Sequence, residues 1–291
     1  MIIKKLIISA LAVFAVSCDA NSKSVTQTSA LPTTTVDYPT VERLVAVGDI
    51  ACSQSQRESA SSDECKEQLV ADLTRSIDPD LILLLGDVQY NSGQLSDFES
   101  TFKPLWNEML NISLPTPGNH EYASGGAGFY DFFDFVPKTG YYKTELENVS
   151  LVSINTNCDS IPGGCGDGSE QAIWLEEALM NAENDCVIVF GHHPRFSNGQ
   201  KGDNSSIDYL YSLMNNYGVE IYIAGDDHNY ERIDGSVMQI VAGTGGRSLR
   251  PAPNVITEYG VVEFEVSNNS ITGKFVNVNN QVLDSFESVC N

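Results

Sequence analysis

The sequence predicts an α/β domain, and three observations lead there. Four short apolar runs each end in glycine followed at once by an aspartate or a histidine. Stretches with helical spacing of apolar residues alternate with apolar runs. All four histidines of the chain lie inside glycine-led motifs.

The runs are Leu44 to Val47 before Gly48-Asp49, Leu81 to Leu85 before Gly86-Asp87, Val187 to Phe190 before Gly191-His192, and Val219 to Ile223 before Gly225-Asp226. Short apolar runs bounded by glycine read as buried strands. Val149 to Ile154 and Val237 to Val241 add two strands, and Tyr259 to Val266 with Ile271 to Val278 reads as a hairpin. Between them, Leu69, Val70, Leu73 and Ile77 share one helical face, as do Phe98, Phe102, Leu105 and Met109. Ile207, Leu210, Tyr211 and Met214 repeat the pattern, with Gly218 as the stop. Ser169 is the predicted N-cap of a helix carrying Ile173, Leu175 and Leu179. Strand-helix alternation of this kind defines the α/β class.

The position of the polar residues carries the chemistry. Sites in α/β sheets form at the carboxyl ends of strands, and glycine there lets the chain turn sharply beside a ligand. One Gly-Asp is weak, because aspartate is a common turn residue. Four such endings with Asp49, Asp87, His192 and Asp226 describe a metal-binding cluster. His120 lies in Pro117-Gly118-Asn119-His120-Glu121, His193 follows His192, and His228 lies in Gly225-Asp226-Asp227-His228-Asn229.

These motifs, in this order from about residue 43 to 246 and ending in Gly243-Thr244-Gly245-Gly246, resemble the calcineurin-like metallophosphoesterases, and more narrowly the bacterial relatives of purple acid phosphatases. The resemblance implies a sandwich of two β-sheets flanked by helices. It implies a dinuclear site at which metal-activated hydroxide hydrolyses phosphate esters, phosphomonoesters by default. It implies that Asp87 bridges both metals, that Asp49, Tyr90 and His228 join it on the first, and that Asn119, His192 and the residue at 226 complete the second. A tyrosinate at Tyr90 favours Fe(III) at the first site; a packing aromatic is the alternative there. His120 is expected over the phosphate as the catalytic acid-base or charge-stabilising group, with Asn119, His193 and Lys201 also facing substrate. For His193, a packing role stands beside the substrate-facing one.

Two positions depart from the pattern the chain resembles. Asp226 stands where an imidazole ligand is usual, which makes the second site harder and favours Mn, Mg or Fe(II) relative to Zn. Lys201 stands near where another histidine is usual, and lysine is a poor proton donor at its ordinary pKa. The runner-up reading is therefore a degenerate relative that binds metal or phosphate with little turnover. Specificity is expected in the loops Ser124 to Gly128, Pro162 to Gly168 and Ser197 to Asn204.

The ends and the composition set the compartment. Lys4 and Lys5 precede an apolar run from Leu6 to Val16, too short for a permanent span, which reads as an export signal over residues 1–17. Ala15-Val16-Ser17-Cys18 resembles a lipoprotein box, so Cys18 is the expected lipid anchor; an ordinary signal with an incidental cysteine is the alternative. Residues 18–41 read as a Ser/Thr/Pro tether and 42–291 as one domain. Without Cys18, six cysteines remain, an even number suited to disulfides. Cys52/Cys65 and Cys158/Cys165 are close in sequence, leaving Cys186 and Cys290, but six cysteines allow fifteen pairings. A net charge of −23 repels nucleic acid and anionic membranes.

Overall fold

The computed structural model describes residues 40–59 and 64–290. The predicted signal, nearly all of the tether and Cys18 lie outside those residues. Among the described residues, twelve strands run in chain order as β1 (Arg43–Val47), β2 (Leu81–Leu85), β3 (Ser113–Thr116), β4 (Tyr142–Glu145), β5 (Ser150–Ser153), β6 (Val187–Phe190), β7 (Ile221–Ala224), β8 (Tyr230–Ile233), β9 (Met238–Ala242), β10 (Gly260–Val266), β11 (Ser270–Asn277) and β12 (Val282–Val289). They form two six-stranded sheets, ordered β12-β11-β10-β1-β2-β3 and β4-β5-β6-β7-β9-β8. The helices are α1 (Gln54–Ser59), α2 (Glu67–Ile77), α3 (Leu95–Asp97), α4 (Lys103–Trp106), α5 (Asn119–Tyr122), α6 (Ala127–Phe132), α7 (Glu170–Met180) and α8 (Asp208–Asn216). The expected two-sheet α/β architecture is therefore present.

Each sheet contains a set of parallel strands. β1, β2 and β3 run together in the first sheet, and β5, β6, β7 and β9 in the second. Parallel strands are covered on both faces and so read as unbroken apolar runs, which is why β1, β2, β5, β6, β7 and β9 are legible in the sequence. Alternate residues of β6 and β7 divide between two cores. Ile188, Phe190, Ile221 and Ile223 join the cluster shared with the first sheet, while Val187, Val189, Tyr222 and Ala224 pack beneath α7 and α8. The result is that the carboxyl ends of β1, β2, β6 and β7 arrive at one place.

Four details differ from what the sequence predicts. The predicted helix through Phe98 and Met109 is broken into α3, a π turn at Phe98–Phe102, and α4. Pro104 lacks an N–H and crowds the preceding turn, and the Lys103 N–H reaches five residues back to the Phe98 carbonyl. In α7 the buried face is turned toward Gln171, leaving Ile173 exposed. The Gln171 amide pairs with both backbone groups of Asn155, at 2.7 and 2.8 Å, and that fixes the rotation of the helix. Leu69, placed on the inner face of α2, is also exposed. Strands β3, β4, β8 and β12 carried no readable apolar run. β3 holds Pro115 and lies at a sheet edge, where a missing N–H is tolerated, and β12 is an edge strand with alternating polar residues.

Three disulfides close the structure: Cys52–Cys65, Cys158–Cys165 and Cys186–Cys290. The last links residues 104 apart and ties the end of the chain to the start of β6. Replacing Cys186 and Cys290 together by serine is expected to lower stability by about 2–4 kcal/mol, measured as a shift in the urea unfolding midpoint. An unchanged midpoint would mean that the link adds nothing to the folded chain.

Candidate metal centre

The backbone at the sheet ends is unusual in the same way three times. Asp49, Asp87 and Asp226 all adopt left-handed conformations, with φ of 59°, 47° and 70°. Aspartate tolerates this region better than most residues, and the turn swings each carboxylate back over its strand end. Glycine allows the close packing around them. A Cβ on Gly118 would lie 2.1 Å from Asp87 Oδ1, so no larger residue fits without displacing that carboxylate.

One group of donors is tight. Tyr90 Oη lies 2.6 Å from Asp49 Oδ1, 3.0 Å from Asp87 Oδ2 and 3.1 Å from His228 Nε2. His228 Nε2 is 3.1 Å from Asp49 Oδ1. His228 Nδ1 lies 2.6 Å from the Ser248 carbonyl, to which it must donate. That leaves Nε2 as the lone-pair nitrogen facing the cluster. This donor set, two carboxylates, a phenol and an imidazole around one point, fits a hard, highly charged cation.

A second group adjoins it through Asp87. His192 Nε2 lies 3.3 Å from Asp87 Oδ1 and 3.4 Å from Asp226 Oδ1. Its Nδ1 lies 2.8 Å from the Leu85 carbonyl, to which it donates; burial opposes its charge, but Asp87 and Asp226 raise its pKa well above the usual value, so Nε2 carries a proton that a metal would replace. Asn119 points its amide oxygen at His192 Nε2 and at Asp226 Oδ1, both at 3.2 Å. With the amide swapped, its N–H groups would bond both neighbours. With the oxygen inward, it can accept from a protonated His192 Nε2 but still faces Asp226 Oδ1, and a cation taking the place of that proton would be held by all three groups. The residues thus fit a pair of metals sharing Asp87, with one feature added: Lys201 Nζ donates to Asp226 Oδ1.

Electrostatics follow from burial. Burial opposes charge on Asp87, but His192 and His120 outweigh it and hold its pKa well below the carboxylate range. Burial likewise opposes charge on Asp49 and Asp226, and the same reversal is made by His228 for the one and His192 for the other. Burial and the Asp49 and Asp87 charges push the Tyr90 phenol well above its usual value, so only a strongly charged cation would draw off its proton. Burial beside His192 pulls His193 down to about 4, and it is neutral at physiological pH.

The remaining predicted residues surround these groups. His120 is partly exposed, packs against Tyr90 at a ring distance of 4.3 Å, and has Nδ1 at 2.6 Å from the Asn91 carbonyl. Its Nε2 stands 3.8 Å from Asp87 Oδ2, at the mouth of the cluster. His193 Nδ1 is 2.8 Å from Thr156 Oγ1, and His193 brings a donor atom within 4.8 Å of those of His192 and Asp226. That places His193 closer to the second group than sequence reasoning did. The Cys52, Cys65 and Glu67 grouping has its two sulfurs in a disulfide and offers no comparable site.

Three supporting residues carried no role in the sequence reading. Arg247 stacks 5.6 Å from the Tyr90 ring and donates its backbone N–H to the Asp49 carbonyl. Thr156 Oγ1 accepts the backbone N–H groups of His192 and His193. Glu121, fully buried, accepts N–H groups from Asp87, Gln89 and Gly118 at 2.9, 3.0 and 2.7 Å. Only Glu121 had a signal, since it closes the Gly-Asn-His-Glu motif.

The fold and this cluster define a metallophosphoesterase. The chain belongs to the calcineurin-like phosphoesterase family, whose profile matches residues 42–230. Tartrate-resistant acid phosphatase type 5 of Mus musculus is 27% identical, with 84% of each chain covered; the Homo sapiens protein of the same name is 25% identical, over 81% of this chain and 83% of its own. Among solved structures, GAP50, described as the anchor in the inner membrane complex of Plasmodium, superposes with a TM-score of 0.63 at 18% identity, covering 86% and 89% of the two chains. A dimetal phosphatase from Danio rerio gives 0.58 at 13% identity, over 86% and 99%.

Burial and the neighbouring Asp87 charge push Glu121 up to about 8, yet both its oxygens are used as acceptors. Glu121→Gln keeps one acceptor oxygen and turns an amide N–H₂ against a backbone N–H. A loss of about 1–3 kcal/mol is expected, read from urea unfolding of the metal-free protein. A variant as stable as the parent would show that these N–H groups find other acceptors.

Proposed function

We propose that this protein is an exported phosphatase that hydrolyses phosphate esters, phosphomonoesters first, at a dinuclear metal centre. The convergence of Tyr90 Oη, Asp49, Asp87 and His228 carries this reading. Asp87 is the shared ligand, Asp49, Tyr90 and His228 hold the first metal, and Asn119, His192 and Asp226 hold the second. Tyr90 favours Fe(III) at the first site, and the carboxylate-rich second site takes Mn, Fe(II), Mg or Zn. When bound, the metals supply a water of lowered pKa and charge stabilisation for the phosphoryl oxygens.

The chain's own residues do the rest. The Asn91 carbonyl fixes His120 so that Nε2 faces the cluster, where it can give a proton to the leaving oxygen or stabilise charge on the phosphate. Arg247, stacked over Tyr90, adds a positive charge beside the same mouth. In a chain of net charge −23, such local charge must attract the phosphate. A cavity of 470 Å³ lined by Tyr122, Tyr130, Tyr141, Lys138 and Pro162 shares α5 with Asn119 and His120, and is our choice for the organic part of the ester.

Three disulfides support an oxidising compartment, and Cys18 is the proposed lipid anchor. No helix among the described residues is long and apolar enough to cross a membrane.

Asp87→Ala is expected to abolish binding of both metals, while His120→Ala keeps them and slows turnover of a chromogenic phosphomonoester by about 10²–10⁴-fold. Elemental analysis and kcat separate the two; a His120→Ala protein stripped of metal would reverse the assignment. Metal-replete protein with no turnover on any phosphate ester would favour the degenerate alternative. Loading with Fe(III) is expected to give a visible charge-transfer band that Tyr90→Phe removes. A band that survives the substitution would take Tyr90 off the metal.

A further inference from the structure

The two positions at which the chain departs from the pattern it resembles meet in space: the Lys201 ammonium donates to Asp226 Oδ1. The same oxygen lies 3.4 Å from His192 Nε2 and 3.2 Å from the Asn119 amide oxygen. Lys201 therefore puts a positive charge on the carboxylate oxygen that faces the other donors of the second site. Asp226 is almost buried, whereas Lys201 keeps about a third of its side chain in solvent and has a way out.

This placement is built from the backbone. Asp227, next to Asp226 and fully buried, accepts the Lys201 N–H on Oδ1 at 3.1 Å and the Ser197 hydroxyl on Oδ2 at 2.6 Å. Ser197 Oγ in turn accepts the Gly199 N–H at 2.9 Å, and Asp203 accepts the Ser197 N–H at 3.0 Å. Asn198 donates its N–H to Glu231 at 2.9 Å. A Cβ on Gly199 would lie 2.4 Å from Asp227 Cγ, so the loop can close this far only with glycine there. The segment that anchors Asp226 thus also anchors the backbone of Lys201, at a reach that suits its side chain.

We propose that Lys201 is an intrinsic cation of the second site. Its ammonium pairs with Asp226 when one metal is bound, and it must swing toward the mouth before a second can use that oxygen. An ammonium and a divalent ion cannot share one carboxylate oxygen at bonding distance without strong repulsion. The charge pair accounts for both departures together, since an imidazole at 226 would offer Lys201 no anion. The first site then fills tightly and the second only at higher metal concentration, which makes nuclearity respond to metal supply. This inference rests on the two-metal reading above.

The test is a titration of the chelator-stripped mature chain with Mn²⁺ and with Zn²⁺ by calorimetry, with bound metal counted by elemental analysis after equilibrium dialysis. The parent is expected to bind one equivalent tightly and a second weakly. Lys201→Met, close in shape and uncharged, is expected to tighten the second equivalent at least tenfold and leave the first within twofold. Lys201→Arg, which keeps the charge, is expected to keep the second equivalent weak. Circular dichroism and a second neutral variant, Lys201→Gln, check that the gain does not come from altered folding. Two equivalents with the same constants in parent and Lys201→Met would overturn the inference and leave the metal centre standing. A gain shared by Lys201→Arg would overturn it too, by showing that shape and not charge matters. No bound metal in any of the proteins would remove the two-metal reading and this inference together.

Discussion

Three carboxylates, those of Asp49, Asp87 and Asp226, are almost wholly removed from water at one point where two sheets end, and the structure around them follows from that cost. A buried ionised carboxylate without a counter-charge is unfavourable by several kcal/mol, and three side by side multiply the problem. Here two imidazoles, one ammonium and a ring of N–H donors share the compensation. His192 and His228 present their inner nitrogens because the Leu85 and Ser248 carbonyls hold the outer ones. A cation taking the place of the His192 proton would be held by the same carboxylates.

The same constraint accounts for local backbone geometry. Left-handed residues other than glycine cost energy and tend to gather at functional sites, and here all three cluster aspartates adopt that conformation. Neighbouring elements hold them in it. The Ile50 N–H bonds to the Asp87 carbonyl, the Asp226 N–H bonds to Asp49 Oδ2, and Glu121 collects three N–H groups from the turns around Asp87 and Gly118. Strain at the strand ends is thus supported by hydrogen bonds between them, and the site and the junction of the two sheets stabilise each other.

Charge also organises the mouth. The chain is strongly acidic overall, yet Lys201, Arg247 and His120 stand around the opening. With metals bound among the three carboxylates, an anionic substrate would meet a local field opposite in sign to the general one, effective at contact range because salt screens the rest within about 10 Å. Lys201 differs from the other two in that its charge is already used by Asp226.

Much of this was legible in the sequence because it is local. Apolar runs such as Leu81 to Leu85 are continuous only in strands covered on both faces, and glycine followed by aspartate marks a chain that turns back on itself. Those signals were sufficient for the α/β class, for most of the parallel strands and for Asp49, Asp87, His192 and Asp226, whereas Tyr90, Asn119 and the ligand role of His228 were expected only from the resemblance of the motifs to a known family. β12 was not legible because it is an exposed edge strand without a continuous apolar run, and β3, though buried throughout, has only Leu114 and Pro115 as apolar residues between Ser113 and Thr116. The helix through Phe98 kept its spacing but not its hydrogen bonds, since Pro104 acts on the turn before it. The sequence by itself determined which side chains could meet at the strand ends. Only the tertiary structure decided that Gln171 rather than Ile173 faces inward, that Glu121 and Thr156 hold the turns, and that Lys201 reaches Asp226 through a loop pinned by Asp227. Those are contacts between segments far apart in the chain, and no residue's neighbours in sequence specify them.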